Sequence, residues 1–241
     1  RLDSAIEFLN GYVSGEGVFP LREVVLVSNS TVEKTVTVKV PNLIIRGGSP
    51  EVTLQYLNQP LGPLFKLEGA DKFILENFKV DARGISRPIL IEADGNARVT
   101  LRNMSQKFGG GSLGFAALVT PTSSQYSSLT LEDCYFYVHE AITHTVGDAR
   151  LSRSVIVCDS GGQSQMFMRQ GQGGISESWL GSSIQIQDCT FHGWTCNTST
   201  DLVVFDDGND VQISIERSRF YNAAFPSDRK STRLNSSHRI R

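Results

Sequence analysis

The sequence predicts an all-β solenoid closed at its N-terminal end by a short α-helix, and three observations carry that prediction. Seven short segments of one pattern begin at Leu43, Phe73, Val99, Leu129, Val155, Ile184 and Ile213, at spacings of 26 to 30 residues. The first and third residues of these segments are apolar, as in Phe73/Leu75, Val99/Leu101, Leu129/Leu131, Val155/Val157, Ile184/Ile186 and Ile213/Ile215. The fifth residue is Gly47, Asn77, Asn103, Asp133, Asp159, Asp188 and finally Arg217. Alternation with a period of two marks a strand with one buried face. Gly, Asn and Asp tolerate the left-handed backbone that bulkier residues avoid, and each segment therefore reads as a strand ending in a left-handed corner. Strand, corner and strand at this period describe stacked coils, each burying its apolar face against the next.

The elements follow in chain order. Residues Asp3 to Tyr12 place Ile6 and Leu9, with Val13 beyond them, at helical spacing, and Asp3 or Ser4 is the expected N-cap. Such a helix would cover the open end of the stack, where bare strand edges invite aggregation. The stretches Glu23–Ser28 and Thr35–Val40 then lead into Leu43. A further strand precedes several repeats: Leu64–Leu67, Ile89–Glu92, Ala117–Val119 and Val203–Asp206. Polar turns such as Asp94-Gly95-Asn96 and Asp207-Gly208-Asn209 join it to the repeat segment. After the corner the chain continues as Phe78-Lys79-Val80, Cys134-Tyr135-Phe136, Cys189-Thr190-Phe191 and Ser218-Arg219-Phe220, a third strand per coil. Outward residues just before the corner alternate in sign, Arg46, Glu76, Arg102 and Glu132, which favours this register over a slipped one.

Three strands per coil, about 29 residues and a short corner after the second strand resemble the pectin lyase-like superfamily. The resemblance spans roughly residues 1–226 and implies a single right-handed parallel β-helix. It implies a capping helix over residues 1–13 and about seven coils over 14–226, with the corner asparagines hydrogen-bonded into a ladder. The opening coil through Gly47 is similar to that of carbohydrate-active β-helix enzymes, including pectinesterases.

Residues 228–241 break the pattern and resemble a sequencing-library adapter read in translation; they are set aside as a non-native tail. The tail holds five Lys/Arg and one Asp, and the rest of the chain then carries 18 basic against 24 acidic residues, a net charge of −6. With no initiating Met before Arg1 and the pattern cut after Pro226, native sequence is expected on both sides. An acidic chain argues against nucleic acid or an anionic membrane as partner, since phosphate binding relies on clustered Lys and Arg. No run of eighteen apolar residues codes a membrane span. Cys134 and Cys189 fall at one inward position two coils apart, about 9–10 Å at the strand spacing, too far for a disulfide. Cys189 and Cys196 are close enough in sequence to leave a small disulfide loop open as an alternative to free thiols. Asn29-Ser30-Thr31, Asn103-Met104-Ser105 and Asn197-Thr198-Ser199 match the N-glycosylation acceptor pattern, which a Ser/Thr-rich chain also meets by chance.

The resemblance places an active groove along the strand that precedes each repeat, where Lys66, Glu92, Thr120, Thr143 and Asp206 face outward. Glu92 and Asp206 are about four coils apart, roughly 19 Å, too distant for the 5–10 Å or so of a paired glycosidase. The candidate catalytic residues are Asp201, Asp206 and Asp207, and the candidate ligands for a calcium ion are Asp206, Asp207 and Asp210. The leading reading of these residues is a solvated acidic turn. Asp133, Asp159 and Asp188 form a second carboxylate stack, expected to cap their own corners in solvent. His139, Glu140 and His144 straddle a bend and lack a third zinc ligand. The motifs of active lyases, pectinesterases and polygalacturonases are absent.

The functional expectation is an extracellular or cell-surface protein that contacts polysaccharide or another surface glycan; whether it is an enzyme is left open, with polysaccharide lyase or hydrolase the class if it is one. No cofactor beyond calcium is implied. The alternative is a structural or adhesive solenoid of the adhesin or virion-spike type, without chemistry.

Overall fold

The structure, a computed structural model, describes residues 1–11, 20–57, 62–82, 85, 88–94, 97–106, 117–121, 128–138, 144–145, 148–158, 168–170, 183–192, 203–205 and 212–221. It consists mostly of strands in parallel sheets, with one short helix at the N-terminus. The chain visits the sheets in rotation, and within each sheet a strand pairs with the one a full circuit later. The first sheet orders Arg22–Leu26, Asn42–Gly47, Lys72–Glu76, Arg98–Arg102, Ser128–Glu132, Ala149–Ser152, Ser183–Gln187 and Gln212–Glu216. The second orders Ser30–Val32, Thr53–Tyr56, Lys79–Asp81, Ser105–Gln106, Tyr135–Val138, Val155–Cys158, Thr190–His192 and Arg219–Tyr221. The third holds Val36–Val38, Pro63–Glu68, Ile89–Asp94 and Ala117–Pro121, and beside it lie His144–Thr145, Met168–Gln170 and Val203–Phe205. A rung below means one such circuit.

Alternation along each strand builds the core. In the first sheet Leu43, Phe73, Val99, Leu129, Ala149, Ile184 and Ile213 are register partners on successive rungs. The column two residues on runs through Ile45, Leu75, Leu101, Leu131, Leu151, Ile186 and Ile215. From Leu43 to Ile184 and from Ile45 to Ile186 these side chains are at most 1% exposed, and each large one contributes about 1.5–3 kcal/mol by leaving water. Phe136, Ile156 and Phe191 continue the buried set on the second sheet, and Val36, Phe65, Ile91 and Val119 on the third. The ring of Phe65 on the third sheet meets that of Phe73 on the first at 5.3 Å, tilted 60°. The sheets therefore share one interior.

The fifth segment of the repeat is corrected. Ala149 and Leu151, not Val155 and Val157, continue the first sheet, and the corner residue there is Arg153 at φ 47°. Val155–Cys158 belongs to the second sheet, where Ile156 points inward and Val155 and Val157 are only half-buried. Three consecutive β-branched residues conceal which parity is buried, and an alanine gives the inward column a weak signal. Asp159 lies outside the described residues.

Helix Leu2–Asn10 lies across the first strands of all three sheets, with Leu2 and Ile6 buried and Leu9 packed on the core. Its N-cap is Arg1, with no side-chain cap, in place of the expected Asp3 or Ser4. Asp3 instead sits in the first turn, where its charge meets the positive end of the helix, and its Oδ1 accepts the Ser4 amide proton at 3.0 Å. The last helical residue completes the sheet edge: Asn10 Nδ2 donates to Thr37 O at 2.8 Å and its Oδ1 accepts from Lys39 N at 2.9 Å. One side-chain amide thus supplies the ladder bonds that another strand would have made. Among the described residues no helix is long and apolar enough to cross a membrane.

Candidate functional site

Two charged regions stand out, one on the corner of the first sheet and one on the outer face of the third. Corner residues Asn77, Asn103, Asp133 and Asp188 have φ between 47° and 63°, the left-handed conformation expected of them. Arg153 and Arg217 adopt it as well. Gly47 does not. Its place needs glycine because an added Cβ would lie 2.1 Å from the carbonyl oxygen of Asn77 and 2.8 Å from Cβ of Phe78.

Stacking the corners satisfies their side chains in two ways. Asn103 Nδ2 donates to Asn77 Oδ1 at 2.8 Å, and Asn77 Nδ2 donates to Gly47 O at 2.9 Å. This is the expected amide ladder. From Asp133 onward the ladder becomes ionic. Arg153 donates from Nε and an Nη to both oxygens of Asp133, at 2.7 and 2.8 Å, and reaches Glu132 at 2.7 Å. Arg217 holds Asp188 in the same two-pronged way, at 2.7 and 2.9 Å. The expectation of aspartates that cap their own corners in solvent is corrected for Asp133 and Asp188. Arg153 stands on the rung between them, and mutual repulsion does not arise. The arginine hydrogen bonds, more than burial opposes, hold the carboxyls of Asp133, Asp188 and Glu132 below the usual range. One position before the corner, Arg46, Glu76, Arg102 and Glu132 form the anticipated alternating series, and Arg46 also reaches Glu23 on the first strand. Every charge in this region has a partner a strand away, which suits a register lock and leaves little for a ligand.

The third sheet differs. Its outward residues include Lys66 and Glu68 on one strand and Glu92 and Asp94 on the next, with Lys66 opposite Glu92 and Glu68 opposite Asp94. Lys66 Nζ lies 2.9 Å from Glu68 Oε1, and Lys39 Nζ approaches the other oxygen at 3.6 Å. The hydrogen bond from Lys66 is the main cause that lowers the Glu68 pKa, while the same contact, aided by Glu92 and Asp94, raises that of Lys66. Glu68 is consequently an ionised carboxylate at neutral pH, half-buried and held in place. Opposed residues on adjacent strands stand about 4.8 Å apart at the backbone. Three carboxylates and one ammonium thus share a small exposed face. Among the described residues no group of three or more His, Cys, Asp or Glu is close enough to hold a metal ion.

Lys66 and Glu92 fall where the alternation put them; Glu68 and Asp94 were missed. Carrying the same alternation two residues further along each strand finds both. Asp94 ends a strand although its Asp-Gly-Asn context reads as a turn. Candidates Asp201, Asp206, Asp207 and Asp210 lie outside the described residues, as do Thr143, His139, Glu140 and Cys196. Cys134 and Cys189 are buried free thiols, as expected from their separation.

No family model, curated protein or solved structure matches this chain. The outer face of the third sheet is therefore judged on its geometry. It gathers opposite charges on adjacent rungs, on a sheet whose inner face is firmly packed.

Proposed function

We propose that the chain is a right-handed parallel β-helix of the pectin lyase-like kind, displayed outside the cell, that contacts polysaccharide along the outer face of its third sheet. Parallel pairing, within each sheet, of strands one circuit apart supports the helix, and the strong preference of parallel crossovers for the right hand supports its sense. The observation that carries the function is the opposed pair Glu68 and Asp94 beside Lys66 and Glu92. Carboxylates and an ammonium on a rigid flat face accept and donate hydrogen bonds to sugar hydroxyls, and a row of rungs presents them at regular intervals to an extended chain. The strand spacing of about 4.8 Å is near the roughly 5 Å at which two carboxylates cleave a glycoside with retention. Glu68, kept ionised by Lys66, suits the nucleophilic or basic member of such a pair.

Incubating the protein with a panel of neutral and acidic polysaccharides, with and without calcium, tests this reading through both binding and release of reducing ends. A saturable interaction weakened by Glu68→Gln is expected. Neither binding nor cleavage across the panel would defeat it. The ion-paired corner of the first sheet favours a second reading, a structural or adhesive solenoid of the adhesin or virion-spike type. That reading predicts no glycan-dependent change at all.

A further inference from the structure

We propose that Asn29 is an acceptor for an N-linked glycan, whereas Asn103, in the same kind of tripeptide, stays bare. The described residues hold both motifs, Asn29-Ser30-Thr31 and Asn103-Met104-Ser105, with both asparagines exposed but differently hydrogen-bonded. Asn29 is exposed and immediately precedes Ser30–Val32, the terminal strand of the second sheet, which pairs on one side only. Its Oδ1 accepts the backbone N–H of Thr53 at 2.9 Å. That bond fixes the amide plane, and among the described residues Nδ2 makes no hydrogen bond with the protein. Thr31, the hydroxyl residue of the motif, is exposed as well. Arg1, Asp3, Ser30, Thr31 and Glu33 line with Asn29 a cavity of about 400 Å³ whose charged and polar walls suit the hydroxyls of a first sugar.

Asn103 is exposed as well, but its side-chain amide is already engaged. Its Nδ2 is spent on Asn77 Oδ1 at 2.8 Å, its backbone N–H on Glu132 O at 2.8 Å, and its φ is 47°. Met104 is 1% exposed, and Ser105 pairs with strands on both sides. A glycan there would have to displace the bond from Asn103 to Asn77 that continues the corner ladder. At Asn29 the reaction joins Nδ2 to the anomeric carbon of a lipid-diphosphate-linked oligosaccharide. The bond from that carbon to the diphosphate oxygen breaks, the lipid diphosphate leaves, and the amide nitrogen gives up one proton.

The full chain would be expressed behind a secretion signal in a eukaryotic host. Digestion with peptide-N-glycosidase in heavy-oxygen water, read by mass spectrometry, converts each glycan-bearing Asn to labelled Asp. Labelled Asp at Asn29 and unlabelled Asn103 are expected in secreted protein. Thr31→Ala, which keeps the Asn29–Thr53 bond, should remove one glycan's mass without loss of folding. Should the chain be retained inside the cell, that fraction is digested in the same way. Asn29 unlabelled in both fractions, or a glycan on Asn103 of folded protein, would overturn the proposal.

Discussion

The two halves of the first-sheet corner solve one problem with different chemistry. Between Gly47 and Asn103 the stacked side chains are neutral amides, and the charges sit one position earlier, on Arg46, Glu76 and Arg102. Between Asp133 and Arg217 the ions occupy the corner itself, and two arginines accept a left-handed backbone to do so. Amide hydrogen bonds are insensitive to salt and acid, whereas exposed ion pairs are screened by one and discharged by the other. Backbone register can thus be kept by either device, but only in the second half do the corner side chains themselves make stability depend on the solution.

The largest effect should come from the neutral half. Gly47→Ala drives a methyl group into the Asn77 carbonyl, and overpacking of this kind is expected to cost about 3 kcal/mol in a denaturant titration. Asn77→Ala should cost roughly 2 kcal/mol, combining the left-handed penalty with two lost hydrogen bonds. Asn77→Gly should recover about half of that loss by relieving the backbone. Both Asn77 results should be the same in low and high salt.

Acid should separate the halves next. The carboxyls of Glu132, Asp133 and Asp188 have folded-state pKa values below the ordinary range. Their stabilisation is complete above the unfolded-state value and is lost as pH falls through the lowered one. Hydrogen exchange corrected for intrinsic rates should show residues 128–132 and 183–187 loosening before 72–76 as pH drops below 4 or so. Equal loosening would remove the distinction.

Arg153→Gly is a finer probe, since it deletes the pair with Asp133 while relaxing a strained corner. The unfolding midpoint should fall in low salt and rise above the parent in concentrated salt, where the pair is screened. The smallest effect concerns the thiols. Burial pushes Cys134 up to about 12 and raises Cys189, and neither should be alkylated at pH 8 in folded protein, as intact mass would show.

Most of the strand pattern is legible because its cause is local. Val99, Leu101, Leu129 and Leu131 alternate with polar residues, and only one face of such a strand can be buried. Reading fails where two residues satisfy the same rule. Val155-Ile156-Val157 fits either parity, and only pairing with Tyr135–Val138 decides it. Arg153 is invisible as a corner because its left-handed backbone is secured by a carboxylate 20 residues earlier, not by intrinsic preference. Gly47 matches the corner pattern for an unrelated reason, the approach of Asn77. Half of the candidate face, Lys66 and Glu92, follows from alternation. Glu68 and Asp94 lie two residues further along the same alternation, but their pairing needs the register between strands, a property of two segments together.

The central claim is that structure resides in the corner and recognition on the third sheet. A binding titration against the best polysaccharide of the panel, on the parent, on Glu68→Gln with Asp94→Asn, and on Asn77→Gly, tests it most directly. The account predicts affinity lost only in the carboxylate variant, with its unfolding midpoint close to the parent's. Undiminished affinity in that variant, or loss in folded Asn77→Gly, would contradict it.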